Sequence, residues 1–304
     1  MEIIMSAIEQ GLLFALVAMG VYITYKILDF PDLSVDGTFP LGAAISAALL
    51  VKGVNPWISL LAAIVGGAVA GAVTGFFHVK LKISNLMSGI LVMIGLYSVN
   101  LRIMGKSNIP IFNTNYLFKE NAISSVFNIL VLVLIFKVII DLFMKTKVGF
   151  LLTAVGDNEQ VVSSLGVNKN SIKVLGLMIS NGLVALAGAL TAQHQGFADV
   201  IMGQGIVVMG LAAVIIGDSI LGKLSFVKAT TLSILGAIIY KLVVAIALAM
   251  KLNPNDLKLM TAIIVAIALA ANGDVFKFKK KKVLINNNKG GDKDVESKTN
   301  VQSI

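Results

Sequence analysis

The segment GDNEQVVSSLGVN, Gly156–Asn168, is a polar island in a sequence whose other long stretches are apolar. Lysines lie on both sides of it, at positions 145, 147, 169 and 173. Because lysine collects in the cytoplasmic loops of membrane proteins, this segment is expected on the cytoplasmic face. A polar helix between membrane spans on that face predicts a docking element for a soluble partner.

The island predicts about two turns of helix over Asp157–Leu165. Asp157 or Asn158 is expected to cap its start, since both side chains accept hydrogen bonds from backbone N–H groups. Gly166 is expected to end it, because glycine readily adopts the left-handed conformation found after helix C-termini. A solvated loop helix without a partner is the alternative. The expected apolar face consists of Val161, Val162 and Leu165.

Composition indicates the class of protein. Of the 304 residues, 57% are hydrophobic and only 13% are charged, which is more apolar surface than a soluble domain buries. The apolar segments are too long and continuous for a β-barrel, whose strands alternate over about 10 residues. The sequence therefore predicts an all-α, polytopic membrane helical bundle. The net charge of +9 indicates no nucleic-acid partner, because the lysines lie at helix ends and in the tail.

Nine apolar spans are predicted, most of them near the roughly 20 residues needed to cross a bilayer. Lysine placement predicts an N-terminus outside and a cytoplasmic C-terminus. A membrane domain is expected over residues 1–275. The tail, 276–304, starts with FKFKKKK and is expected to be disordered, with its basic start against lipid headgroups. The spans are 6–27, 39–52, 55–78, 84–104, 123–144, 170–192, 203–221, 229–250 and 256–273, one of them broken into a half-helix.

The third span carries a repeat of small residues. Gly67, Gly71 and Gly75 recur every four residues, so they lie on one face of a helix. Small residues let membrane helices approach each other closely, which predicts a second helix packed against this face.

The segment FPDLSVDGTFP, Phe30–Pro40, predicts the break. The apolar stretch after it, 41–51, is too short to cross a bilayer alone. Pro31 disfavours helix at the residue before it, and the next helix is expected to begin near Pro40. Broken helices place their ends at the solute sites of transporters, whereas an ordinary cytoplasmic turn is the alternative. The candidate solute residues are Asp32, Ser34, Asp36 and Thr38, of which the last three are also candidate helix caps.

Four further polar residues inside the spans are candidates for the solute pathway. Ser88 and Asn100 lie in the fourth span and Asn181 in the sixth, where hydrogen bonding between helices is the alternative. Lys241 lies in mid-span, where a charge is costly and usually faces a cavity or a partner. Snorkelling to the outer interface is the alternative to pairing with one of three candidate carboxylates, Asp32, Asp36 and Asp218.

The sequence does not predict an enzyme. His78 and His194 have no second ligand at metal-like spacing, so no metal is expected. The chain has no cysteine and contains no Ser/His/Asp arrangement, HExxH motif or phosphate-binding loop. We therefore expect that it does not hydrolyse ATP itself.

The same residues resemble those of one family. The run GDNEQVVSSLGVNKNSIKVLGLMISNGLVALAGAL, 156–190, resembles the coupling loop and following helix of ABC importer permeases of the branched-chain amino acid, ribose and simple-sugar superfamily. Asp32–Val35 resembles the Asp-Leu-Ser-Val-Gly element of the sugar permeases, from which this sequence departs by placing Asp36 before the glycine. The pattern, with Ser88–Leu91 and Asn100–Arg102, is most similar to a subgroup linked with tryptophan, tyrosine or related substrates.

The resemblance implies a permease subunit of an ATP-driven importer in the bacterial cell membrane. Two copies would form the pathway, an extracytoplasmic binding protein would deliver the solute, and a cytoplasmic ATPase would bind ATP and Mg²⁺, so this chain would need no cofactor. The expected solute is an amino acid and, at a finer level, an aromatic one, with nucleosides and sugars left open. An ion-coupled secondary transporter is the alternative. The implied ATPase contacts are Asp157, Asn158, Glu159, Val162, Leu165 and Gly166.

Overall fold

A computed structural model of the chain describes residues 2–112, 114, 116–118, 122–221, 228–249, 259, 261–263 and 265–267. This part is helical apart from loops and two short antiparallel strands, β1 (Asn108–Pro110) and β2 (Phe197–Asp199). The helices are α1 (Glu2–Val21, continued by a π-helix over Tyr22–Ile27), α2 (Val35–Val51), α3 (Pro56–Val79), α4 (Asn85–Met104), α5 (Ala122–Met144), α6 (Lys147–Asp157), α7 (Glu159–Ser164), α8 (Lys169–Gln195), α9 (Ile206–Leu221) and α10 (Ala229–Ala249).

The helices agree with the predicted helical membrane bundle. Within the described residues, six helices are long and apolar enough to span a membrane, and α2 and α9 are shorter apolar helices. The helices α1 to α5 and α8 to α10 coincide with the first eight predicted spans. The ninth predicted span, 256–273, lies mostly outside the described residues, and the tail 276–304 lies wholly outside them. The count of nine spans and the orientation of the termini therefore stay predictions.

The helices α2 and α8 lie at the centre of the described bundle. Helix α8 packs along α3 and α2, while α1 packs against α10 and α8. Most side chains of α2 and α8 are buried, whereas α4 and α5 present most of theirs outward. The helix that is too short to cross a bilayer is thus surrounded by longer helices rather than by lipid.

Glycines set the distance between the central helices. A Cβ atom on Gly67 or Gly71 of α3 would overlap backbone carbonyl groups of α8, and Gly75 lies against the same helix. The close helix contact predicted from the repeat is therefore confirmed, with α8 as the partner. A Cβ atom on Gly42 of α2 or on Gly188 of α8 would likewise overlap backbone atoms between those two helices.

The helix after the break begins at Val35 rather than near Pro40 as predicted. Its first turn forms because the Ser34 carbonyl accepts hydrogen bonds from the N–H groups of Gly37 and Thr38, both at 2.9 Å. Ser34 holds the N-cap position but caps no N–H group with its side chain, and Thr38 lies inside the helix. Pro40 lies in the second turn, where its missing N–H removes one backbone hydrogen bond without ending the helix.

Replacing Gly67 with alanine should destabilise the protein by at least about 1–3 kcal/mol, because the added methyl group must push α3 away from α8. Gly95→Ala in α4 is the matched control, since a Cβ atom there meets nothing within 4 Å. It should leave stability unchanged or raise it by about 0.5–1 kcal/mol. The thermal denaturation midpoints of the detergent-solubilised variants measure the difference, and equal midpoints would contradict the packing described.

Candidate functional site

The candidate site is built around a non-helical segment, residues 28–34, that joins the π-helical end of α1 to α2. The carboxylate of Asp32 lies in this segment and is 3% exposed. One of its oxygens accepts a hydrogen bond from the Ser34 N–H group at 2.8 Å, and the other accepts one from the Asn181 side chain at 2.8 Å. Because Asn181 lies near the middle of α8, the carboxylate is enclosed far from either end of a membrane-length helix.

The side-chain amide of Asn181 is the centre of this network. Its oxygen accepts hydrogen bonds from the Thr38 hydroxyl at 2.8 Å and from the Ser34 hydroxyl at 3.2 Å. Its nitrogen donates to Asp32 and, at 3.1 Å, to the Leu177 carbonyl of its own helix. The structure therefore brings Asn181, predicted separately on the sixth span, together with three residues of the predicted break, Asp32, Ser34 and Thr38. All four are buried, and their hydrogen bonds hold the broken segment against α8.

Helix α4 closes over the same segment. A Cβ atom on Gly89 would lie 2.7 Å from the Leu33 backbone nitrogen and 3.1 Å from a carboxylate oxygen of Asp32, so only glycine fits there without a shift. The neighbouring Ser88 is buried and donates its hydroxyl to the Asn85 carbonyl one turn earlier in the same helix. The sequence analysis selected Ser88 as a candidate pathway residue, whereas its neighbour Gly89 makes the close contact with the non-helical segment.

Asp36 lies inside α2 and caps a different helix from the one predicted. Its carboxylate oxygens accept hydrogen bonds from the N–H groups of Gly205 at 2.9 Å and Val207 at 2.8 Å, at the start of α9. A carboxylate at this end of a helix is favourable because the unpaired N–H groups there carry partial positive charge. Asp36 thereby joins α2 to α9.

A cavity of about 340 Å³ lies next to Asp36. The side-chain amide of Asn100 borders it and donates to the Gly37 carbonyl at 3.2 Å. Asp36 and Asn100, which were predicted as separate pathway residues, thus share one cavity wall. The other lining residues are Gly37, Pro40, Met93, Ile94, Tyr97, Ser98, Val200, Ile201 and Gln204.

Lys241 lies apart from both the network and this cavity. Its ammonium group is 5.0 Å from the centre of the Phe14 ring, and the residue borders a smaller cavity of about 180 Å³ together with His194. The three carboxylates proposed as its partners are bonded elsewhere, and the pairing prediction is wrong for them. Asp218 pairs with Lys26 at 2.8 Å, while Asp32 and Asp36 make the contacts described above.

The polar island contains one short helix, α7, which follows the end of α6 after a break at Asn158, rather than one helix over 157–165. Asp157 ends α6, and the extended backbone of Asn158 lets its side chain accept from the Gln160 N–H group at 2.9 Å and so cap α7. Gly166 has a φ of +71°, as expected for a residue that ends a helix. The predicted apolar face is split, because one valine is buried against the protein and two residues point away from it. The buried residue is Val162, and the exposed ones are Val161 (51%) and Leu165 (62%).

Glu159 fixes α7 to the start of α8. Its carboxylate forms ion pairs with Lys169, at 2.7 Å, and with Lys173. The two ammonium groups lower the pKa of Glu159 to about 2, so the carboxylate stays charged at physiological pH. The sequence predicted that Glu159 contacts the ATPase, whereas in the structure its carboxylate forms ion pairs within the chain.

Gly156 connects the island to the broken segment. A Cβ atom on Gly156 would overlap the carbonyl oxygen of Ile27, the last residue of the π-helix that leads into residues 28–34. The end of α6 is therefore packed directly against the entrance to the break. The sequence analysis assigned no role to Gly156. A glycine inside a helix is a signal for close backbone contact, because it has no side chain to keep a neighbour away.

The sequence and the fold of the chain are similar to those of known transport proteins. Residues 3–270 match the family described as the branched-chain amino acid transport system permease component. A tyrosine transport system permease protein of Clostridioides difficile is 52% identical over 272 residues, which cover 90% of this chain and 92% of that protein. The ribose import permease protein RbsC of Escherichia coli K12 is 26% identical over 62% of this chain and 60% of its own length.

A chain from an ABC transporter solved in an inward-facing conformation has a similar fold. Its TM-score is 0.50 at 16% sequence identity, over 90% of this chain and 85% of that chain. This likeness concerns the fold, whereas the family match covers nearly the whole membrane part of the sequence. The chain therefore belongs to the family of branched-chain amino acid transport system permease components, and it is a permease subunit of an ABC transporter.

Proposed function

We propose that the chain is the permease subunit of an ATP-driven importer whose solute is an amino acid. The observation that carries this proposal is the contact between Gly156, at the end of α6, and the Ile27 carbonyl. This contact joins the end of α6, which leads into α7, to the end of the π-helix, which leads into the buried non-helical segment around Asp32. The identity of 52% to a tyrosine transport permease supports the choice of solute and favours an aromatic amino acid.

A separate cytoplasmic ATPase is the proposed partner of α7. Val161 on α7 and Leu165 directly after it are exposed apolar side chains, and a partner groove would remove them from water. Lysines on both sides of α6 and α7 support a cytoplasmic position for these helices. The N-terminus would then be outside, nine spans would cross the bacterial cell membrane, and the C-terminus would be cytoplasmic.

A second copy of the chain is the proposed partner of α4. Tyr97 and Ser98 lie about two thirds of the way along this outward-facing helix, and both side chains are exposed. Polar groups that face lipid at such a depth are unfavourable, whereas groups that face a water-filled path are not. Two copies that turn α4 toward each other would enclose such a path, to which an extracytoplasmic binding protein would deliver the solute.

The proposed mechanism transmits motion from the ATPase to the break. ATP and Mg²⁺, bound by the ATPase, favour a closed ATPase dimer that moves the α7 helices together. Gly156 and the Glu159 ion pairs pass this displacement to the end of α1 and to the start of α8. The network around Asn181 joins α8 to the non-helical segment that follows α1. The helices beside the path therefore shift as a unit. The energy comes from the difference in ATP affinity between the two states.

Uptake of L-tyrosine into proteoliposomes tests this function. The vesicles contain this chain together with the ATPase and binding protein that co-purify with it in mild detergent. Uptake that requires ATP and ignores a proton gradient is the expected result. Uptake that proceeds without ATP when a proton gradient is applied would overturn the proposal and favour the ion-coupled secondary transporter, for which the buried Asp32 is the candidate proton site.

Leu165→Asp should reduce ATP-dependent uptake by at least about tenfold while the chain still inserts into the membrane, because a charge in an apolar docking groove is costly. Ser164→Asp places the same charge on the adjacent exposed residue and should retain most of the uptake. Co-purification of the ATPase with each variant is measured alongside. Normal uptake and normal ATPase retention by Leu165→Asp would count against docking at this helix.

Glu159→Gln should speed hydrogen exchange of the α7 amides by about two- to fivefold, since exposed ion pairs contribute at most about 1 kcal/mol each. Asp157→Asn is the control, because Asp157 is exposed and forms no ion pair with another described residue. The pKa of Glu159 is lowered, so its contribution is complete above its ordinary value near 4.5 and is lost only as the pH falls toward about 2. Protection corrected for intrinsic rates should therefore be constant between about pH 5 and 8, and a loss within that range would contradict this assignment.

A further inference from the structure

Asn100, which borders the cavity of about 340 Å³ beside Asp36, carries an unsatisfied acceptor. Its side chain is fully buried, and its Oδ1 atom has no hydrogen-bond partner among the described residues. The orientation of the amide is fixed, because the Gly37 carbonyl can only accept and so requires the NH₂ group on its side. A buried acceptor without a donor is unfavourable, and a donor supplied by a bound molecule would remove that cost.

The charges of the lining residues indicate which kind of hydrogen-bond donor a bound molecule would carry. Asp36 contributes a carboxylate, and none of the described residues that line this cavity is lysine, arginine or histidine. The carboxylate accepts two backbone hydrogen bonds and, with about four lone-pair sites, can accept more. Asn100 donates to the carbonyl of Gly37, the residue that follows Asp36 in the chain, so the two residues that carry these acceptors are neighbours in the cavity lining.

Apart from the polar residues Ser98 and Gln204, the rest of the lining is apolar or aromatic. Pro40, Met93, Ile94 and Ile201 supply aliphatic surface, and Tyr97 supplies an aromatic ring. Such a surface accepts a flat apolar group by stacking and by contact with the methionine sulfur. The volume is near the lower end of the range of about 300–1,000 Å³ found for small-molecule sites, which suits one small solute.

We infer that this cavity is a solute subsite that recognises a primary ammonium group beside an apolar or aromatic body. Asn100 Oδ1 and the Asp36 carboxylate accept the ammonium hydrogens, and the wall around Tyr97 and Ile94 holds the apolar part. This inference rests on the proposed function and adds the position and chemistry of one binding site. It assigns no role to a carboxylate of the solute, so an amine without one should bind as well.

A single introduced thiol tests the subsite, because the chain contains no cysteine. Ser98 is exposed at the cavity wall, and Ser98→Cys in the full chain, held in lipid nanodiscs, is labelled with a membrane-impermeant maleimide. L-Tyrosine or tyramine at about ten times its dissociation constant should slow labelling about tenfold. Two probes without an ammonium group, 3-(4-hydroxyphenyl)propionate and ribose, should leave the rate unchanged. Ser164→Cys on α7 is the control and should be labelled at one rate throughout.

A second variant removes the acceptor. Asn100→Leu in the Ser98→Cys background should raise the tyramine concentration needed for half protection by at least about tenfold, the usual effect of losing a hydrogen bond to a charged group. If Asn100→Leu does not fold, the comparison of the probes on the Ser98→Cys chain, in which Asn100 is retained, tests the inference.

Three results would overturn the inference. They are equal protection by 3-(4-hydroxyphenyl)propionate, protection by none of the probes, and a Ser98→Cys thiol that the maleimide does not reach. Uptake by the chain with Ser98 in place, assembled with its ATPase and binding protein, separates this inference from the proposed function. ATP-driven uptake without protection overturns only the subsite, whereas loss of ATP dependence overturns the importer itself.

Discussion

The structure depends on one buried carboxylate. Asp32 lies in a non-helical segment deep within a bundle of membrane-length helices, where water is not available to satisfy either the carboxyl group or the open backbone. Both carboxylate oxygens are bonded, one to the backbone of the same segment and one to the Asn181 side chain of α8. The break therefore exists because α8 supplies an amide at the right depth, and α2 can start beside it.

Close packing around this network has a mechanical consequence. Glycines bring α3 and α2 into backbone contact with α8, so the three helices have little freedom to slide independently. On the other side, Gly156 brings the end of α6 against the last residue of the π-helix. The exposed helix α7, held to α8 by Glu159, is thus one element away from the buried break. A partner that moves α7 acts on a rigid set of contacts rather than on a flexible loop.

Hydropathy, proline and glycine patterns were enough to predict the helical class, the positions of the first eight spans and the broken segment. The Gly67 repeat also predicted a close helix contact, because spacing along one helix is visible in the sequence. The partners were not visible, since they depend on which helices are neighbours.

Asp36 was expected at a solute or at the cap of its own helix, yet it caps α9, which is far away in the chain. Three carboxylates were candidate partners of Lys241, with snorkelling as the alternative, yet each of them is bonded to a residue that only the fold brings near. The start of α2 was missed because Pro40 was read as a helix start, although a proline in the second turn is tolerated when the preceding turn is secured.

The thermal stability of Asn181→Leu tests the central claim most directly, with Ser180→Ala as the matched variant. Ser180 is the preceding residue of α8 and donates one hydrogen bond to the Gly20 carbonyl, so its loss should cost about 1 kcal/mol. Asn181→Leu keeps a similar volume but removes the side-chain donor to Asp32 and the amide acceptor of the Ser34 hydroxyl, while the Thr38 hydroxyl keeps only the Ser34 carbonyl. It should cost at least about 3 kcal/mol and give a clearly lower denaturation midpoint in detergent. Equal midpoints for the two variants would contradict the view that the amide holds the broken segment in the membrane.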